Sequence, residues 1–191
     1  MFKYYNMKKL KLFSILAVAI AAGSLQSCSK IAQALQYDIP LQTGSVTIVI
    51  PPTAASTGVA TGSATNTINI DSVIKANTSN QLGVSNITSV KITSATMILE
   101  NPDSANNFQN FSSCTASFYT NSNTAPYGVT IASNPNVYES TLDLPVNGND
   151  ELKSYINGNQ FTYSAGGTLR TSTTQSLTCT ISFTFNIHVK G

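Results

Sequence analysis

The run before the final glycine alternates without a break. Leu177, Cys179, Ile181, Phe183, Phe185, Ile187 and Val189 take the odd positions, and Thr178, Thr180, Ser182, Thr184, Asn186, His188 and Lys190 the even ones. A period of two sends successive side chains to opposite faces of an extended chain, so this run is a strand with one dry face and one wet face. A helix would scatter the same residues around its axis. One solvated face per strand is the habit of antiparallel sheets, so the pattern commits the chain to sheets stacked on a shared core.

The same alternation recurs upstream. Phe161, Tyr163, Ala165 and Leu169 alternate before the last strand, with Gly166 and Gly167 marking a bulge or a close backbone approach. Further strands are expected near Val46 to Ile50, Thr67 to Ile70, Ile87 to Leu99, Phe111 to Thr120, Tyr127 to Ala132 and Val137 to Leu144. About eight short strands separated by turn residues predict an all-β fold: an antiparallel β-sandwich, immunoglobulin-like in architecture. Two short helices interrupt them, one over Ser72 to Ala76 capped by Asp71, the other over Glu151 to Ile156 capped by Asn149 or Asp150. The uncharged low-complexity stretch from Pro51 to Ser63 reads as a mobile loop. Cys114-Thr115-Ala116-Ser117-Phe118 recurs as Cys179-Thr180-Ile181-Ser182-Phe183, and the common order of elements suggests duplicated β-α-β-β halves, although five columns also match by chance in such a chain.

Composition then separates the two ends of the chain. Residues 1–27 hold four lysines and no acid, and removing them changes the formal net charge from +2 to −2. The remainder is therefore not basic, which excludes a nucleic-acid footprint. Charged residues make up only 9% of the sequence, against about a quarter in an average soluble domain. Ser, Thr, Asn and Gln supply 70 of the 164 residues from Cys28 onward, a neutral polar surface around an ample core.

Leu12 to Ala22 form an apolar segment behind the lysines, too short to span a bilayer. The ending Leu25-Gln26-Ser27-Cys28 resembles a bacterial lipobox, in which the chain is cut before the cysteine and its thiol is acylated; Gln26 is less usual at its position. An ordinary secretory peptide with a chance cysteine is the alternative. A second start at Met7 would give a more compact signal. The whole chain resembles small bacterial envelope lipoproteins. The resemblance implies a signal peptide over 1–27, a lipidated cysteine and tether over 28–44, and a sandwich domain over 45–191. Ser29 and Lys30 after the cysteine imply sorting to the outer membrane, with the periplasmic or cell-surface side open. Acylation of Cys28 leaves Cys114 and Cys179 as a candidate disulfide, both expected to point inward. Two buried free thiols are the alternative.

Signs of catalysis are thin. His188 is the single histidine and sits on the wet face of the last strand, where a hydrolytic triad has no shelter. Asp143 and Glu139 share a strand face, but nothing marks a cleft for paired carboxylates. No phosphate-binding or dinucleotide-binding glycine pattern occurs, and no cofactor is expected. Asn147, Asn149 and Asp150 offer the oxygens that calcium prefers, yet equally make an ordinary turn. Tyr119, Tyr127 and Tyr138 are the candidate ligand-facing aromatics. The expectation is a non-catalytic, membrane-anchored module that binds glycan or an envelope protein. A structural or accessory subunit of an outer-membrane assembly, pairing through a strand edge, is the alternative, and a hydrolase is the third reading.

Overall fold

In the computed structural model, which describes residues 35–191, nine strands form two antiparallel sheets. The strands are β1 (Gln36–Gln42), β2 (Val46–Ile50), β3 (Val59–Thr67), β4 (Ile87–Leu99), β5 (Phe111–Thr120), β6 (Tyr127–Ile131), β7 (Thr141–Asp143), β8 (Gln160–Leu169) and β9 (Leu177–Lys190). The helices are α1 (Ile70–Asn77) and α2 (Lys153–Ile156). One sheet runs β1-β9-β4-β7, with β2 also on β9, and the other runs β3-β8-β5-β6. Tyr37–Val189 make one compact unit, an antiparallel β-sandwich. The expected signal peptide over 1–27 and the candidate lipidation site Cys28 lie outside the described residues.

Alternation is realised as expected. Every odd residue of β9 from Leu177 to Val189 is buried, and Cys114, Ala116 and Phe118 line the inner face of β5. Phe118 is the hub where the sheets meet, with ring centres 5.1 Å from Phe183, 5.4 Å from Phe185 and 5.3 Å from Tyr155. Burying aromatic rings of this size dominates the energetics of such a core.

The repeated order of elements has a topological counterpart. Exchanging β3, β4 and β5 with β7, β8 and β9 turns the path β3-β8-β5 into β7-β4-β9, so each half supplies strands to both sheets. The matched pentapeptides occupy equivalent strands and face each other across the core, as the Phe118–Phe183 contact shows.

Several expectations are corrected. Gln36–Gln42, read as tether, is a strand on β9, so ordered structure begins well before residue 45. Val59–Thr67 takes up the last part of the expected mobile loop, from Val59 to Ser63, and Ile70 starts α1 rather than ending a strand. Of Val137 to Leu144 only Thr141–Asp143 is strand. The cap of α1 is Asn69, whose side chain accepts from the Ser72 N–H; Asp71 is taken by Lys75 and the Val84 N–H. Neither Asn149 nor Asp150 caps α2, because Glu151 bridges to β4 and the helix starts two residues later. The eight expected strands are nine.

One end of the sandwich carries both helices and the other a network of amides. At the helix end the Ser122 hydroxyl donates to the Ser154 carbonyl, and the Asp71 carboxylate accepts from Val84 just ahead of β4. At the amide end Asn106, Asn107, Asn110 and Asn134 are all buried. Asn110 donates to Ala105 and Ser172 carbonyls, and the guanidinium of Arg170 donates to the carbonyls of Gln109 and Asn134. The buried amides draw their partners from the surrounding loops, and of these four side chains only the Asn134 Oδ1 is without one.

Candidate neutral binding face

Parity sends one row of each strand outward on the β3-β8-β5-β6 sheet. The outward residues are Val59, Thr61, Ser63, Thr65 and Thr67 on β3; Gln160, Thr162, Ser164, Gly166 and Thr168 on β8; Ser113, Thr115, Ser117 and Tyr119 on β5; and Gly128 and Thr130 on β6. None of them is ionisable at neutral pH. Cross-strand hydroxyl pairs tie the rows together, Thr115 with Thr130 at 2.8 Å and Thr65 with Thr162 at 3.2 Å.

Glycines hollow the middle of this face. A Cβ on Gly167 would lie 1.9 Å from the Ser113 carbonyl oxygen, and one on Gly166 would lie 2.1 Å from that of Ala60. Only glycine permits such an approach. The result is an open trough of about 240 Å³ bordered by Val59, Thr61, Thr115, Ser117, Ser164 and Thr168. Tyr119 continues the Ser113, Thr115, Ser117 row, one ring at the end of a line of hydroxyls.

The other candidate aromatics do not join it. Tyr127 pairs with Phe118 and so shares its inward face. Its ring packs on Phe118 and Tyr155, and its hydroxyl donates to Asp150 at 2.8 Å. Burial, followed by the hydrogen bond to that carboxylate, pushes Tyr127 up to about 12. Tyr138 is exposed, in the connection between β6 and β7 toward the amide end. The three tyrosines therefore make no single platform, and Tyr127 is not ligand-facing.

The calcium candidates form a closed turn. Asn147 donates to one Asp150 oxygen at 2.7 Å while Tyr127 takes the other, and the Asn149 N–H binds Asn147 Oδ1. The Lys91 ammonium donates to the Asn149 carbonyl at 2.7 Å. Among the described residues no group of acidic, His or Cys side chains is arranged to hold a metal.

Cys114 and Cys179 are both buried and free, so the candidate disulfide is not formed. They project inward from opposite sheets. Burial pushes each thiol up to about 12; Arg170 opposes this weakly at Cys114, and Cys114 itself reinforces it at Cys179. Thiols held protonated in this way are poor nucleophiles.

The charged groups lie elsewhere. On the outer side of the β1-β9-β4-β7 sheet His188 Nδ1 is 2.9 Å from Asp38 Oδ1. Ser89, the cross-strand partner of His188, gives its hydroxyl to Glu151 at 2.7 Å rather than to the ring. Burial tends to raise Glu151, but hydrogen bonds from Ser89, Val90 and Lys153, with the Lys91 charge, leave it below the usual carboxylate range. His188 lines neither the trough nor the second groove, which runs between α1 and the Ile156 to Asn159 turn.

No family model and no curated protein sequence matches the chain. Among solved structures it is similar to Desmodium yellow mottle tymovirus, at 10% identity and TM-score 0.28, over 82% of this chain and 87% of that one. It is also similar to the decameric BFDV capsid protein, at 12% identity and TM-score 0.37, over 82% of this chain and 100% of that one. Turnip yellow mosaic virus gives 13% identity and TM-score 0.27, over 82% and 95% of the respective chains. These values carry no conclusion about what the chain does.

Proposed function

We propose that the protein is a non-catalytic, lipid-anchored module of a bacterial outer membrane that binds an uncharged glycan on the outer face of the β3-β8-β5-β6 sheet. The anchor is an acylated Cys28, supported by the lysine-led apolar segment and the Leu-x-Ser-Cys ending. Several buried acyl methylenes at about 0.8 kcal/mol each hold such a chain without a spanning segment.

The observation that carries the binding reading is the chemistry of that face. Apart from Val59 and Gln160 its side chains are hydroxyls around a glycine-floored trough, with Tyr119 next after Ser117 on the outward row of β5 and no ionisable group apart from that phenol. Hydroxyls match the donors and acceptors of a sugar, an aromatic ring stacks on its C–H face, and the lack of fixed charge favours a neutral ligand. A protein partner is less well served, since stable interfaces bury about 1,600 Å² around an aromatic and apolar centre, and the only apolar side chain on this face is Val59.

The test is retention of the purified protein on a panel of immobilised polysaccharides, neutral and charged. Retention on one or more neutral polymers, weakened several-fold by Tyr119→Ala at unchanged thermal stability, is the expected result. Binding confined to charged polymers, or undiminished by Tyr119→Ala, would overturn the assignment of this face.

A further inference from the structure

We infer that the helix-bearing end of the sandwich faces the bilayer and the amide-braced end faces away from it; this rests on the anchored reading given above. The first observation is where the chain enters. Asp38 lies beside His188, and the next residue of β9, Val189, pairs with Ile87 at the start of β4. Ile87 follows directly on the Val84–Asn86 turn, which Asp71 of α1 holds by its hydrogen bond to the Val84 N–H. The sandwich therefore begins, at Tyr37, at the helix end.

The second observation is length. Tyr37 lies nine positions after Cys28, a stretch that fully extended reaches at most about 30 Å. The fourteen residues of β9 span about 45 Å along the sheet. An anchored chain can bring the helix end to the membrane easily, whereas its far end reaches the surface only if the sandwich lies on its side.

Charge opposes that alternative. Lys75, Lys91 and Lys153 all lie in the helix-end half of Tyr37–Val189, together with Asp38, Asp71, Asp150 and Glu151. The far half carries Glu100, Asp103, Glu139 and Asp143 against Arg170 alone, and that guanidinium is spent on carbonyl oxygens. An anionic leaflet repels the far half, with four acids to one cation, more strongly than the helix half, where three lysines nearly offset four acids. Upright on its helix end, the protein holds the neutral face perpendicular to the bilayer, open to a polymer passing beside it.

The native thiols permit a direct test. Cys114 and Cys179 are buried and protonated, so single fluorophores can be placed through Ser85→Cys at the helix end and Ser104→Cys at the amide end, both at exposed serines. Full-length acylated protein is reconstituted into phosphatidylethanolamine–phosphatidylglycerol vesicles carrying a headgroup quencher. Flotation is read first: if wild type fails to float with the vesicles, or Cys28→Ala floats equally well, the anchored reading fails and the orientation with it. Given anchoring, quenching several-fold stronger at position 85 than at 104 is expected. Equal quenching, or stronger quenching at 104, overturns the orientation while leaving the anchor intact.

Discussion

On β5 the outward side chains are Ser113, Thr115, Ser117 and Tyr119; on β9, its counterpart under the exchange of halves, they are Thr178, Thr180, Ser182 and Thr184. The inner rows are closely alike, cysteine and phenylalanine at matching places, because both must fill one core. The outer rows begin alike and diverge through their neighbours. Around β9 the sheet carries Asp38, Lys91, Asp143, Glu151 and His188, whereas around β5 it carries hydroxyls and glycines. Packing constrains an inner face tightly and an outer face hardly at all. A face kept free of charge, in a sandwich whose topologically equivalent face is charged, is where a requirement other than folding shows.

The largest effect tests whether the two sheets are equivalent inside. Phe118→Ala and Phe183→Ala each remove a ring from the centre of the aromatic cluster, and each is expected to cost about 3–5 kcal/mol in denaturant unfolding. A cost at Phe183 well below that at Phe118 would break the equivalence. Next comes Gly167→Ala, whose Cβ collides with the Ser113 carbonyl. Overpacking of this kind costs about 1–3 kcal/mol, and the damage is expected to fall on the trough of the neutral sheet.

Acid sensitivity sharpens the contrast in charge. Asp71 is held low chiefly by its bond to Lys75, Asp103 chiefly by the Ala105 N–H, and Glu151 by the hydrogen bonds and lysine that outweigh its burial. A carboxylate whose pKa is lowered by folding stabilises the native state above its unfolded value, near 4. That stabilisation is lost as pH falls through the lowered folded value. Stability is therefore expected to decline below about pH 4, and Glu151→Gln to flatten part of that decline. Thr115→Ala on the neutral face is the smallest change, within about 0.5 kcal/mol and without effect on the acid limb.

Strands with two or more large inward residues and no proline between them were legible in the sequence. Ile87–Leu99 and Phe111–Thr120 have the expected bounds because Ile, Val, Met and Phe mark their inner rows. Val59–Thr67 was not, since its one buried side chain is Ala60 and its pairing with β8 supplies the rest. In Gln36–Gln42 only Ile39 and Leu41 are buried, with Pro40 between them discouraging a strand assignment. The site was half legible. Parity on β5 placed Tyr119 outward, but Tyr127 needed its register against Phe118 to show that it faces in. The neutral face itself was hidden: Ser and Thr occur throughout the chain, and only the pairing of β3, β8, β5 and β6 shows that they gather without an acid or a base among them.

The most direct measurement exploits the internal equivalence, placing one lysine on each face at matched positions. Ser117→Lys and Ser182→Lys occupy corresponding places on β5 and β9, and both point outward from a central strand. Affinity for the neutral polysaccharide retained by the wild-type protein is then compared at equal thermal stability. Binding lost in Ser117→Lys and kept in Ser182→Lys is the result this account predicts. Binding kept in Ser117→Lys, or lost only in Ser182→Lys, would contradict it.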